Sequence, residues 1–62
     1  MEYAEKLLKF RAKHNLTQRQ LALLFDVGVF MIYRYEKGIS RPSAMHEKKY
    51  EEIMKKWEEE NK

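Results

Sequence analysis

Side chains suited to binding an anionic partner are concentrated in the central part of the chain. Arg34 carries a guanidinium whose planar fork can pair with two acceptors at once, on a phosphate or on the edge of guanine. Lys37, Ser40 and Arg41 follow closely and offer donors of the kind that hold a phosphate backbone. Gln18 lies where a helix is predicted to begin, and free backbone amides at such a position attract anions. Together these residue types predict contacts to phosphates and to base edges.

Catalytic chemistry has little support in the sequence. His14 and His46 lie far apart, and neither has a Cys, Asp or second His at metal-ligand spacing. The chain has no cysteine, which excludes disulfides and thiolate metal sites and suits a reducing compartment. The glutamates cluster on predicted helix surfaces, without a pocket that could shift their pKa. We therefore expect no enzyme activity, no metal, no cofactor and no small-molecule substrate.

The net charge of +3 is unevenly distributed. Residues 1–46 hold eight basic and four acidic side chains, whereas residues 47–62 hold five Lys and six Glu. This favours a phosphate-binding surface in the first part, and the alternative is that the charges only solubilise a small domain. No apolar run approaches the roughly 20 residues that cross a bilayer, and the first residues lack the layout of a secretion signal. We expect a cytoplasmic protein without a membrane partner.

Two short helices joined by a tight turn must position the basic groups. Thr17 can cap a helix over about residues 18–25, whose apolar positions recur at the spacing of one buried face. Gly28 is expected to make the turn, because a Cβ there would be strained. A second amphipathic run over about residues 29–36 ends near Gly38, where a helix C-terminus favours glycine. This pattern is that of a helix-turn-helix, which can place its second helix in the DNA major groove.

One helix before and one after this pair complete an all-α, single domain of four helices, with five as the alternative. They are predicted over about residues 2–13 and 43–59, with Ser43 capping the last. Leu8 or Arg11 could also face inward, and at most one of Leu23 and Leu24 can join the core. Trp57 lies about two turns beyond Tyr50, where little remains to cover it. The positions predicted to form the core are Tyr3, Leu7, Phe10, Leu21, Ala22, Phe25, Ile32, Tyr35, Met45, Tyr50 and Ile53.

Over residues 7–53 the chain resembles the Cro-like phage-repressor family of DNA-binding domains. Residues 28–29 and 34–38 are also similar to the DNA-binding half of certain bacterial antitoxins. The resemblance implies a recognition helix over about residues 29–36 that binds double-stranded DNA. The positions that match the family pattern are Arg11, Leu16, Thr17, Gln18, Leu21, Ala22, Phe25, Val27, Ile32, Glu36, Gly38, Pro42 and Ser43.

The resemblance and the residue chemistry together imply a set of site residues. Family members pair the positions of Arg11 and Glu36 as a structural ion pair between the first helix and the recognition helix. At the position of Gln18, family members contact the DNA backbone and brace the recognition helix. The alternatives are a merely exposed Arg34, a helix-forming Gln18 and a Glu36 that reads cytosine. The DNA-binding candidates are Gln18, Arg19, Gly28, Val29, Phe30, Met31, Tyr33, Arg34, Lys37, Ser40 and Arg41.

Four residues of the predicted recognition helix depart from the family. Relatives usually carry Ser, Thr, Asn, Gln or Arg around positions 28–31 and 33, whereas this chain carries Gly28 before the helix and Val29, Phe30, Met31 and Tyr33 within it. Because other positions of this helix face the core, these side chains should point partly outward. They could contact thymine methyls, bind a protein, or pack against the last helix. We favour a surface that contacts DNA.

We predict a DNA-binding transcriptional regulator, acting as a homodimeric repressor on a palindromic operator of phage, plasmid or toxin–antitoxin type. Such a dimer places two recognition helices about 34 Å apart in successive major grooves. The alternative from another class is a helix-turn-helix fold reused as a protein–protein interaction module through its apolar recognition helix. A further alternative is a redesigned or truncated domain in which Phe30 or Met31 reflects engineering.

Overall fold

The computed structural model describes residues 2–61, which form helices and connecting turns without a strand. This confirms the all-α helix-turn-helix fold, with four helices and no fifth among the described residues. Within the same residues, no helix combines the length and the apolarity of a membrane span. The helices are α1 (Glu2–His14), α2 (Gln18–Phe25), α3 (Val29–Lys37) and α4 (Ala44–Glu60).

Local hydrogen bonds explain where the helices begin and end. The Thr17 hydroxyl accepts from the Gln20 backbone N–H at 3.0 Å, and the Gln20 side chain accepts from the Thr17 N–H at 2.8 Å. This reciprocal pair is a capping box. Ser43 caps α4 through its hydroxyl. Asn15 and Gly38 follow α1 and α3 in the left-handed conformation, with φ of 54° and 74°, which lets the chain leave each helix sharply.

The turn between α2 and α3 is made by Asp26 and not by Gly28. Gly28 is the N-cap of α3 with φ of −72°, and no atom lies within 4 Å of the place a Cβ would occupy. The prediction of strain at Gly28 is therefore wrong. Asp26 has φ of 59°, and its N–H points to the carbonyls of Ala22 and Leu23. Aspartate tolerates the left-handed region better than most residues, so the turn needs no glycine.

All the predicted core positions on α1, α2 and α3 are buried. From α4, Tyr50 and Met54 complete the core. The ring of Tyr50 stacks on that of Phe25, with centroids 4.4 Å apart and planes 4° from parallel. This stack fixes α4 against α2. The largest fully buried side chains are Leu7, Leu21, Phe25 and Ile32.

Three tyrosines tie α1, α3 and α4 together. The ring of Tyr35 meets that of Tyr3 edge-on at 6.0 Å and lies 6.1 Å from that of Tyr50. Burial raises the pKa of Tyr35 to about 12, and the neighbouring Tyr50 adds to the effect. Burial likewise raises the pKa of Tyr3, whose hydroxyl has no hydrogen-bond partner in the described chain. The packing of α3 therefore requires neutral tyrosines.

Two predictions about α4 are wrong. Met45 was expected in the core but is 76% exposed, and Met54 fills the core in its place. Trp57 was expected to lack cover, but it is partly buried, with its ring 5.7 Å from Phe10 and 4.7 Å from His14. The reason is that α4 runs alongside α1, from the Lys6–Glu51 pair to the His14–Glu58 pair. The first turn of α4, which holds Met45, precedes this contact, whereas Trp57 lies within it.

Polar contacts reinforce this packing of α4 alongside α1. His14 Nε2 lies 2.6 Å from Glu58 Oε2, and Lys13 Nζ lies 3.2 Å from the same oxygen. Both hydrogen bonds lower the pKa of Glu58, and the one with His14 has the larger effect. A second pair joins Lys6 to Glu51. The two histidines thus differ: His14 belongs to the interface between helices, and His46 lies on the exposed first turn of α4.

The sequence left open whether Leu8, Leu23 and Leu24 are buried, and the structure shows that only Leu24 packs against the core. Leu24 packs partly against the core, whereas Leu23 is 75% exposed. Leu8 is exposed on α1, so it does not add to the core. Leu23 consequently stands out as an apolar group on the surface of α2.

Candidate nucleic-acid interface

The outer surface of α3 carries large side chains in contact with solvent. Ile32 and Tyr35 face the core, which forces the residues between and before them outward. Phe30 is 78% exposed, so it does not pack into the core or against α4. The exposed side chains of α3 are Val29, Phe30, Met31, Tyr33, Arg34 and Lys37.

Part of this surface is concave. Gln18, Val29, Phe30 and Tyr33 line a shallow, mostly apolar pocket of about 210 Å³. Gln18 is the first residue of α2, and the other three lie on α3. The pocket therefore brings together four of the predicted DNA-binding residues from both helices of the helix-turn-helix.

Cationic side chains border the apolar surface. Arg34 donates from Nε to the Ser40 hydroxyl at 3.1 Å, and its two Nη groups have no partner among the described residues. The Lys37 ammonium lies 5.7 Å from the centroid of the Tyr33 ring, a cation–π distance. Arg41 is mostly exposed and lies 3.4 Å from Glu47. Each of these cations keeps donors available for an anionic ligand.

Beneath this surface, the Glu36 carboxylate accepts hydrogen bonds from Arg11 and Gln18. Its side chain is 4% exposed and faces the Arg11 guanidinium, which is 22% exposed. Arg11 donates from Nε at 2.6 Å and from Nη2 at 2.9 Å to the two carboxylate oxygens. Gln18 donates from Nε2 to the same carboxylate at 2.9 Å, and Arg11 Nη1 donates to the Leu16 carbonyl at 3.1 Å. One carboxylate thus joins α1, the start of α2 and the end of α3.

The structure brings together most of the predicted site residues. Arg19 is exposed on α2, Met31 is exposed on α3, and Gly28 adds only backbone at the start of α3. Sequence reasoning missed the bond between Arg34 and Ser40, for which the spacing along the chain carries no signal. It also missed the contribution of Gln20 to the cap of α2, although its position three residues after the cap is a known signal.

Comparison with known proteins identifies the family. A family model described as Helix-turn-helix matches residues 7–56. The chain belongs to the Cro-like helix-turn-helix family. It is accordingly a DNA-binding domain of the type found in transcription regulators. No curated protein and no solved structure matches the chain.

In the part of the chain that the structure describes, no group of three or more His, Cys, Asp or Glu residues could hold a metal ion. The candidate site of this helix-turn-helix domain is the outer surface of α3 with its cationic border.

Proposed function

We propose that this chain is a sequence-specific transcriptional repressor that binds a palindromic operator as a homodimer, with α3 in the major groove. The observation that carries the proposal is the outer surface of α3, which combines an apolar pocket with the Lys37 ammonium and with the Nη groups of Arg34, which have no partner among the described residues. A duplex offers the complement, because base edges lie in a groove between two rows of phosphates. Such a repressor, of phage, plasmid or toxin–antitoxin type, works in the cytoplasm.

The roles of the residues follow from what their side chains can donate. Arg34 can pair with O6 and N7 of guanine, because Ser40 holds Nε and leaves the Nη groups free. The remaining polar and cationic residues act on the phosphate backbone and set the orientation of α3 without reading sequence. Those backbone-binding residues are Gln18, Arg19, Lys37, Ser40 and Arg41. The residues placed in the groove are Gly28, Val29, Phe30, Met31 and Tyr33.

Arg11 and Glu36 have a structural role in this proposal. Their bidentate pair is shielded from solvent, and the Glu36 carboxylate also holds the Gln18 amide. Gln18 is thus oriented before any DNA arrives, which reduces the entropy lost on binding.

A homodimer is supported by an apolar surface separate from α3. The exposed Leu23 borders a groove whose other lining residues are Leu16, Gln20, Leu24 and Trp57. A second copy would cover this groove, and a small domain gains useful burial from such a contact. To bind a palindromic operator, such a dimer must hold its two copies of α3 about 34 Å apart, the spacing of successive major grooves. Leu23→Ser should dissociate the dimer, whereas Met45→Ser, at an equally exposed position, should not.

The decisive experiment measures binding of a labelled random-sequence duplex by fluorescence anisotropy at several salt concentrations, with light scattering on the same sample. Affinity should fall steeply with salt, by about 0.9 in the logarithmic slope for each phosphate contact. Arg19→Ala should lower the slope by about one per subunit. Lys56→Ala, which removes a cation from α4, should leave it unchanged. A folded dimer that binds no duplex at low salt would refute the proposal.

The second candidate function is a protein–protein interaction module. The exposed Phe30 favours it, because large apolar patches on a surface often bind proteins. If the chain is a protein–protein interaction module, the purified protein should not bind duplex DNA at low salt. The same anisotropy experiment therefore distinguishes this function from that of a repressor.

A further inference from the structure

We propose that a pocket between α1 and α4 is a binding site for a small organic carboxylate with an apolar body. This pocket has a volume of about 360 Å³, and none of its lining residues belongs to the outer surface of α3. A volume of this size is typical of small-molecule sites in proteins. The site is therefore separate from the surface proposed to contact DNA, and the inference does not depend on DNA binding.

The floor of this pocket is apolar. Phe10 and Met54 belong to the core, and both also line the pocket. The methylene stems of the surrounding lysines extend the apolar wall, because a lysine lays its stem along apolar surface and keeps its ammonium in water. An apolar body bound here would therefore remove apolar surface of both partners from water.

Two ion pairs define the ends of the pocket. Lys6 pairs with Glu51, and seven residues further along both helices Lys13 pairs with Glu58. The same offset at both pairs means that α1 and α4 run side by side in the same direction. Seven residues of helix span about 10 Å, so the space between the two pairs is short.

Between these two ion pairs lie two lysines that are not neutralised. Lys9 on α1 and Lys55 on α4 both line the pocket, and neither has a carboxylate partner among the described residues. The two carboxylates that line the pocket, Glu51 and Glu58, are already bound by other cations. A carboxylate bound here can accept charge-assisted hydrogen bonds from both free ammonium groups.

The same charges favour a small anion over a macromolecule. A nucleic-acid strand or an acidic peptide would extend beyond the pocket and carry its negative charges past Glu51 and Glu58, where like charges repel. A second copy of the chain, docked with this face against itself, would bring the same unneutralised lysines together. A compact carboxylate fits between the two ion pairs, and its apolar body can lie on Phe10 and Met54.

The test measures binding of naphthoate to the full chain by proton–nitrogen NMR correlation spectra. Backbone amides of α1 and α4 around the pocket should shift and saturate, whereas those on the outer surface of α3 should not. We expect a dissociation constant of about 1 mM, which a probe of about 13 non-hydrogen atoms reaches at ordinary ligand efficiency. Acetate lacks the apolar body and naphthalenemethanol lacks the charge, so each should bind at least about fivefold more weakly.

Changes of charge at the two lysines assign the binding to the pocket. Lys9→Ala should weaken naphthoate binding about fivefold, the upper end for an exposed ion pair. Lys55→Glu should abolish binding, because the introduced carboxylate can pair with Lys9 and repels the ligand. Lys56→Ala is the matched control, since Lys56 is exposed on α4 and lies outside the pocket, and it should leave binding unchanged. All three changes are at exposed positions, so the circular dichroism spectrum should stay the same.

Three results would overturn the inference in distinguishable ways. Absence of saturable shifts around the pocket, at naphthoate concentrations well above the expected dissociation constant, would show that no such site exists. Unchanged binding by Lys9→Ala and Lys55→Glu would show that the two ammonium groups do not hold the carboxylate. A lower salt slope for duplex binding by Lys9→Ala, without naphthoate binding by the unchanged chain, would assign these lysines to DNA phosphates.

Discussion

Glu36→Ala should destabilise the domain strongly, because the carboxylate is the shared acceptor of three hydrogen bonds. The variant leaves the Arg11 guanidinium without its charge partner and the Gln18 amide without its acceptor. Both groups lie at the junction of α1, α2 and α3, so the loss weakens the contact that positions α3.

The size of the effect follows from the burial of the pair. Removing one partner of a buried ion pair costs about 3–5 kcal/mol. Arg11 is 22% exposed and keeps its bond to the Leu16 carbonyl, so we expect the lower end, about 3 kcal/mol. In a domain of this size each kcal/mol shifts the melting temperature by about 4–8 °C, which predicts a fall of about 12–24 °C. A 62-residue domain has only about 3–9 kcal/mol in total, so Glu36→Ala lies near the threshold of unfolding.

The assay is thermal unfolding followed by circular dichroism, with a double-mutant cycle as control. Arg11→Met and Glu36→Leu should each destabilise the protein alone. The double variant replaces the ion pair by apolar chains of similar length and leaves no unpaired charge. It should recover most of the lost stability, because an apolar replacement of a buried pair is often neutral or stabilising.

Additivity would refute the reasoning. If the double variant is as unstable as the sum of the two single variants, the charges are not coupled and burial of the pair does not explain its effect. If Glu36→Ala keeps full stability but loses its preference among DNA sequences, the carboxylate reads a base and is not structural.

Other predictions test the DNA contacts and the tyrosine packing. Arg34→Ala should weaken specific binding by about 1–3 kcal/mol and relax the choice at one base pair, whereas Lys37→Ala should weaken all sequences alike and lower the salt slope by about one per subunit. Exchanged phenotypes in the anisotropy assay would mean that α3 is rotated in the groove. The raised pKa of Tyr35 means that the folded protein holds this proton more tightly than the unfolded chain. Stability should therefore be unaffected by Tyr35 below about pH 10, the ordinary tyrosine value, and should fall as the pH rises from there to about 12. Chemical denaturation between pH 10 and pH 12 measures this fall in the free energy of unfolding, and Tyr33→Phe is the control because Tyr33 is an exposed tyrosine. A free energy of unfolding that stays constant over this range would contradict the prediction.

The sequence by itself determined the features that depend on neighbouring residues. Thr17 and Ser43 cap their helices, and Gly38 ends α3, because a cap needs only a local side chain or a tolerated positive φ. The inward positions of α1, α2 and α3 were also predictable, since a period of 3.6 residues defines one buried side of a helix. The family pattern added the pairing of Arg11 with Glu36, which no local rule supplies.

Only the tertiary structure decided how α4 lies on the other helices. Periodicity gives the side of α4 that is buried but not the stretch along its length, so Met45 was wrongly assigned to the core and the cover of Trp57 by His14 was missed. The turn before α3 was also assigned to the wrong residue, because Asp26 and not Gly28 takes the left-handed conformation. Contacts between separate segments also form the pocket, which Gln18 of α2 lines together with residues of α3. They likewise orient the Arg34 guanidinium, whose Nε donates to Ser40 in the loop after α3. The physical reason is that docking of helices is decided by the fit of whole surfaces, which local propensities and spacing do not encode.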